Sequence, residues 1–129
     1  MELETLKQLV VQTLDDMKGQ DIKTIDVRGK SAITDMMVIV TGNSNRHVKS
    51  LADAVELAVK QAGVQPLGVE GDGQSDWVLL DLNDIILHVM LASTRDYYNL
   101  EKLWELGEGL PQFRPGMLDA ATASEDETD

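Results

Sequence analysis

Cysteine is missing from the 129 residues. Its absence excludes disulfides, thiolate zinc sites, iron–sulfur clusters and a cysteine nucleophile. No apolar run approaches the roughly 20 residues that a membrane-spanning helix requires. Residues 1–18 hold no arginine and carry acids at Glu2, Glu4, Asp15 and Asp16, unlike a signal or transit peptide. Only two histidines, His47 and His88, are present, too few for a histidine-rich metal site. Lysine and arginine vanish between Lys60 and Arg95, while Glu70, Asp72, Asp76, Asp81 and Asp84 fall inside that gap. Aromatics are scarce, and all five (Trp77, Tyr97, Tyr98, Trp104 and Phe113) lie in the second half of the chain.

What remains is enough for one domain. At 14.2 kDa and 43% apolar residues, folding buries roughly two-thirds of the unfolded surface without metal or disulfide staples. Eleven Lys and Arg against 23 Asp and Glu give a net charge of −12; Asp119–Asp129 holds five acids and no base, so the rest still carries −7. Such a surface repels phosphate backbones, which disfavours direct binding of nucleic acid. It attracts basic proteins instead. A soluble, cytoplasmic protein is expected.

Leu3, Leu6, Val10, Leu14 and Met17 form one helical stripe, with Gly19 as its expected stop. Ile22–Val27 reads as a strand, Arg28-Gly29-Lys30 as a turn, and the apolar run Met36–Val40 as a central strand covered on both faces. Gly42, Asn43 and Ser44 break that strand and offer an N-cap. Val48, Leu51, Val55, Val59 and Ala62 then recur at helical spacing up to Gly63. Val64–Val69, interrupted by Pro66, suits an edge strand, and strand–helix–strand order predicts a parallel βαβ crossover.

Beyond the polar loop Gly71–Asp76, Trp77–Leu82 and Ile85–Leu91 are separated only by Asn83-Asp84, a hairpin signal. Ser93 or Thr94 is the expected cap of a last helix through Trp104, with Tyr97, Leu100, Leu103 and Trp104 on its apolar side. The adjacent Tyr97 and Tyr98 cannot both point inward. Gly107, Gly109, Pro111 and Pro115 end regular structure. The order α-β-β-α-β-β-β-α predicts an α/β fold, one mixed sheet packed by helices. A single domain over 1–112 and a disordered acidic tail over 113–129 are expected.

A two-residue turn at Asn83-Asp84 opposes Leu82 with Ile85, Leu80 with Leu87 and Val78 with Val89, a wholly aliphatic face. The other face opposes Asp81 with Ile86, Leu79 with His88 and Trp77 with Met90. Aromatic, methionine and aliphatic anchors mixed with one His and one Asp match the centre of a partner interface better than a sealed core. A helix covering this face is the alternative.

Enzyme chemistry finds little support in the residues. Gly71-Asp72-Gly73 puts an acid where a phosphate would sit. Thr41-Gly42-Asn43-Ser44 stands at a helix N-terminus, where an anion can be held, but capping alone explains Ser44. Asp81 and Asp84 straddle a turn and need not converge as a metal-binding pair. No G-x-S-x-G elbow occurs. A nucleotide-binding transferase using Gly42–Ser44 with Asp81 or Asp84 stays as one alternative, and a homodimer through the hairpin face as another.

Three blocks, TGNSNRHVKSLADAV at 41–55, GDGQSDWVLLDLNDIILHVM at 71–90 and RDYYNLEKLW at 95–104, make the chain resemble the ribosomal silencing factor family, also called iojap-like. With the first helix and the D-V-R-G-K-S turn, the likeness covers about residues 3–106. Asn83 departs from the family's usual Gly, and Asn tolerates positive φ. The resemblance implies a nucleotidyltransferase-like sheet without the transferase carboxylates, no catalysis and no cofactor. It implies binding to the large ribosomal subunit through ribosomal protein fourteen, a block on small-subunit joining, repression of translation, and a part in late large-subunit assembly. Organellar relatives carry N-terminal extensions, so a start at the first helix favours a bacterial cytosol. The expected contact residues are Asp76, Trp77, Leu79, Asp81, His88 and Met90, with Arg95 and Tyr98 from the last block.

Overall fold

The computed structural model describes residues 1–32, 34–100 and 102. Along the chain come α1 (Leu3–Asp16), β1 (Gln20–Asp26), β2 (Met36–Gly42), α2 (Asn45–Gln61), β3 (Gly68–Glu70), β4 (Trp77–Asp81), β5 (Ile85–Leu91) and α3 (Ala92–Tyr98). The element order is the expected one. The five strands form one mixed sheet in the order β1-β2-β5-β4-β3. β2 and β5 run parallel at its centre, and the other neighbours are antiparallel. Every residue of β2 is buried, as a strand covered on both faces requires.

The crossover differs from expectation. β3 runs in the direction of β2, but β5 and β4 lie between them. β5 offers β2 seven successive partners, from Met36 beside Ile85 to Gly42 beside Leu91. β3 has three residues and follows Pro66, which has no N–H to give a ladder. The longer apolar strand buries more surface and takes the central place.

One sheet face carries Val38, Val40, Val78, Leu80, Leu87 and Val89. These pack beneath Leu6, Val10 and Leu14 of α1 and Val48, Leu51, Val55 and Val59 of α2. Both helical stripes are the expected ones, shortened at their C-terminal ends, where Met17 and Ala62 are exposed. Gly19 is not the left-handed stop of α1: Lys18 takes that conformation, with φ of 68°. Gly19 instead permits close approach, since a Cβ there would lie 2.7 Å from Val40 Cγ2.

The hairpin has the expected register, pairing Trp77 with Met90, Val78 with Val89, Leu79 with His88, Leu80 with Leu87 and Asp81 with Ile86. Asn83 sits in its turn at φ 74°. α3 starts earlier than expected. Its N-cap is Leu91, without a side-chain bond, rather than Ser93 or Thr94, and it stops where Asn99 turns left-handed at φ 49°. Leu103, Trp104, the Gly107–Pro115 breakers and the acidic tail lie outside the described residues.

Candidate functional site

β5 runs straight into α3, which brings α3 against β5 and β2. The sheet face on that side carries Ile25, Met37, Ile39, Ile86, Met90, Trp77 and Leu79, packed with Leu100 and the half-buried Tyr98. This corrects the expectation of an open surface centred on the hairpin. Trp77 is 5% exposed, and Leu79, His88 and Met90 are fully buried. Each large side chain removed from water stabilises the fold by about 1.5–3 kcal/mol, so a face this apolar closes as a second core.

Trp77, His88 and Asp81 each make a hydrogen bond within the chain. The Trp77 indole N–H donates to His88 Nδ1 at 2.9 Å, which places the proton of the neutral imidazole on Nε2. Burial pushes the His88 pKa down to about 3, because charging a ring in this setting forfeits its hydration. Asp81, also buried, is directed to the hairpin turn, where its Oδ1 accepts from the Asn83 N–H at 2.9 Å. Indole, rather than carboxylate, therefore orients His88.

Arg95, Tyr98 and Asp76 reach the surface near the end of the sheet where β2 and β5 finish. Arg95 Nη1 donates to Thr41 Oγ1 at 2.9 Å, tying α3 to β2. Beside it opens a groove of about 420 Å³ lined by Asp21, Lys23, Thr41, Ala92, Arg95 and Asp96. The Tyr98 ring leans on Trp77, with centroids 4.7 Å apart. Tyr97 stands edge-on to Tyr98 at 5.0 Å and 80°, and is 71% exposed. A run of three aromatic rings thus leads from the core into solvent. Asp76 is exposed, and Asn45 Nδ2 donates to its Oδ1 at 2.5 Å, holding the loop before β4 against the start of α2.

Ser44 caps α2 as expected, accepting from the His47 N–H at 3.1 Å. His47 is a brace. Its Nδ1 accepts from the Asn43 N–H, and its Nε2 lies 2.9 Å from the Met17 carbonyl, joining the start of α2 to the end of α1. Gly42 admits Val48, whose Cγ2 would lie 2.8 Å from a Cβ there. Among the described residues no three His, Asp or Glu side chains gather as a metal site, and no helix is long and apolar enough to cross a membrane. Sequence reasoning missed Asn45 and Asp96, which carry no local signal, and read Thr41 only as part of an anion-holding helix start, not as the acceptor for Arg95. Tyr97, expected on the apolar side of the last helix, is instead the exposed one of the two adjacent tyrosines, and Tyr98 is the one that packs inward.

The family described as "Ribosomal silencing factor during starvation" matches residues 1–129. A ribosomal silencing factor of Chromobacterium violaceum is 41% identical over 116 residues, covering 90% of this chain and 93% of that one. One from Haemophilus influenzae is 46% identical over 99 residues, 77% of this chain and 97% of the relative. A mouse protein named for mitochondrial assembly of the ribosomal large subunit is 32% identical over 101 residues, 76% of this chain and 44% of its own length. A crystal structure of a C. violaceum protein superposes with a TM-score of 0.77 at 42% identity, covering 88% of this chain and 92% of that one.

Proposed function

The chain belongs to the ribosomal silencing factor family, and from that premise we propose that it binds the large ribosomal subunit through ribosomal protein fourteen and stands where the small subunit would join. The family consists of ribosome-associated regulators of translation, not enzymes by name. A block of this kind needs no chemical step, only overlap with the position of the small subunit. The name of the mouse relative supports the large subunit as the partner and favours an additional part in its assembly. Residues 1–112 form the ribosome-binding domain in this reading, with 113–129 outside it, and the bacterial cytoplasm is its place of action.

The aromatic run from buried Trp77 through Tyr98 to exposed Tyr97 carries the assignment of the contact. Aromatics held rigid from beneath lose little entropy on docking and are frequent energetic centres of interfaces. Asp76, Arg95 and Tyr98 contribute at the surface. Trp77, Leu79, Asp81, His88 and Met90 act from below, as the floor that fixes them. The absence of bases from residues 61–94 draws in a basic ribosomal protein.

Co-sedimentation with isolated large subunits, followed by addition of small subunits at fixed magnesium, tests the reading. The chain is expected to pellet with large subunits and to reduce joined ribosomes. Tyr97→Ala with Asp76→Lys is expected to weaken binding by about 2 kcal/mol, some thirtyfold. Absence of co-sedimentation at low salt refutes the assignment; unchanged binding by that variant refutes the contact surface.

A further inference from the structure

The two edges of the sheet are finished differently. At the β1 edge the register shifts between Gln20 and Lys23, Asp21 is left-handed at φ 51°, and a lysine stands in the strand. Bulges and lysines both keep an edge from pairing with another chain. β3 has neither: it pairs with β4 alone, and among the described residues no strand lies on its outer side. Leu67 and Val69, two positions apart and so on one face, are 66% and 36% exposed. The surroundings are acidic, with Glu70 in the strand and exposed Asp72 in the loop that follows. That loop leads to Asp76 and Trp77, so the edge is continuous with the contact surface proposed above.

We propose that the β3 edge is a strand-addition site for an extended, lysine- or arginine-bearing segment of a ribosomal protein, a second contact beside Tyr97 and Tyr98. The inference rests on the ribosomal reading above. In strand addition, backbone hydrogen bonds supply affinity and alternate side chains supply selectivity. With three residues β3 gives few backbone bonds, so Leu67, Val69 and the acids supply the rest. Charge decides among occupants. A second copy would bring one base-free acidic stretch toward another, and RNA would bring phosphates toward carboxylates. A basic polypeptide alone gains on both counts.

The test uses the full chain with the photo-crosslinking residue p-benzoylphenylalanine replacing Val69, irradiated on isolated large subunits. Leu57, 58% exposed on the side of α2 away from its buried stripe, serves as the control position. The Val69 probe is expected to attach to a Lys- or Arg-containing peptide of a ribosomal protein that the Leu57 probe does not reach. Leu67→Lys, at a well-exposed position, and Leu67→Lys with Val69→Lys are expected to weaken binding tenfold or more, whereas Leu57→Lys leaves it unchanged. Attachment to RNA, to a second copy or to residues 103–129 of the same chain overturns the inference, as does absence of attachment by a chain that still co-sediments. A chain that does not co-sediment at all overturns the proposed function itself, so the two failures are told apart.

Discussion

Acid is expected to destabilise this protein in part through a single imidazole. His88 is fully buried and held neutral, its pKa pushed to about 3 from an ordinary value of 6.5. Above pH 6.5 both the folded and the unfolded chain carry the neutral ring, and the stabilisation is fully present. Below it the unfolded chain takes up a proton that the folded chain refuses. Stability then falls by up to about 1.4 kcal/mol per pH unit until the folded pKa is reached. Between pH 7 and pH 5 the loss from this group alone comes to about 2 kcal/mol. His88→Gln keeps an acceptor for the Trp77 indole but does not titrate, so subtracting its stability curve from that of the unchanged chain removes the contribution of every carboxylate. Urea unfolding at a series of pH values measures both. The unchanged chain is expected to lose about 2 kcal/mol more than the variant over that range. Parallel curves, or an NMR titration of the His88 imidazole itself near 6.5 in the folded protein, would refute the argument.

Lys18 stands in a left-handed conformation that disfavours any side chain. Lys18→Gly is therefore expected to stabilise the fold by about 1 kcal/mol and to raise the melting temperature by about 4 °C, read by circular dichroism. Gly42→Ala should do the reverse. Its Cβ would come within 2.8 Å of Val48 Cγ2 and 3.0 Å of the Val48 nitrogen, an overpacking that costs about 1–3 kcal/mol in a chemical denaturation curve.

The hairpin was legible in the sequence because everything that sets it is local. Two turn residues fix the register, and alternation then assigns Val78, Leu80, Leu87 and Val89 to one face. The place of β5 beside β2 was not legible, because it follows from competition between distant strands for the same edge. The mixture of Trp77, His88 and Asp81 reads as an interface only while their polar atoms lack partners. The indole bond to His88 and the Asn83 bond to Asp81 arise from juxtaposition in three dimensions. They turn an apparently presented face into an internal one. Lys18 and Gly19 show the same limit on a smaller scale: glycine was required for its lack of bulk against Val40, which no spacing rule reveals.

The central pairing of β2 with β5 also governs the order in which the chain can be completed. Met36 lies beside Ile85 with α2, β3 and β4 between them in sequence. A chain being synthesised from its N-terminus therefore makes α1, β1, β2 and α2 before the strand on which their assembly depends. Until β5 is available, β2 has β1 on one side and an open apolar edge on the other. Non-local pairing of this kind slows folding and leaves an aggregation-prone intermediate. The β4–β5 hairpin, closed by Asn83, is the local unit that can form first and then enter as a preassembled insert. Loss of the left-handed turn at Asn83 would accordingly lower the folding rate and the yield of folded chain, beyond its effect on final stability.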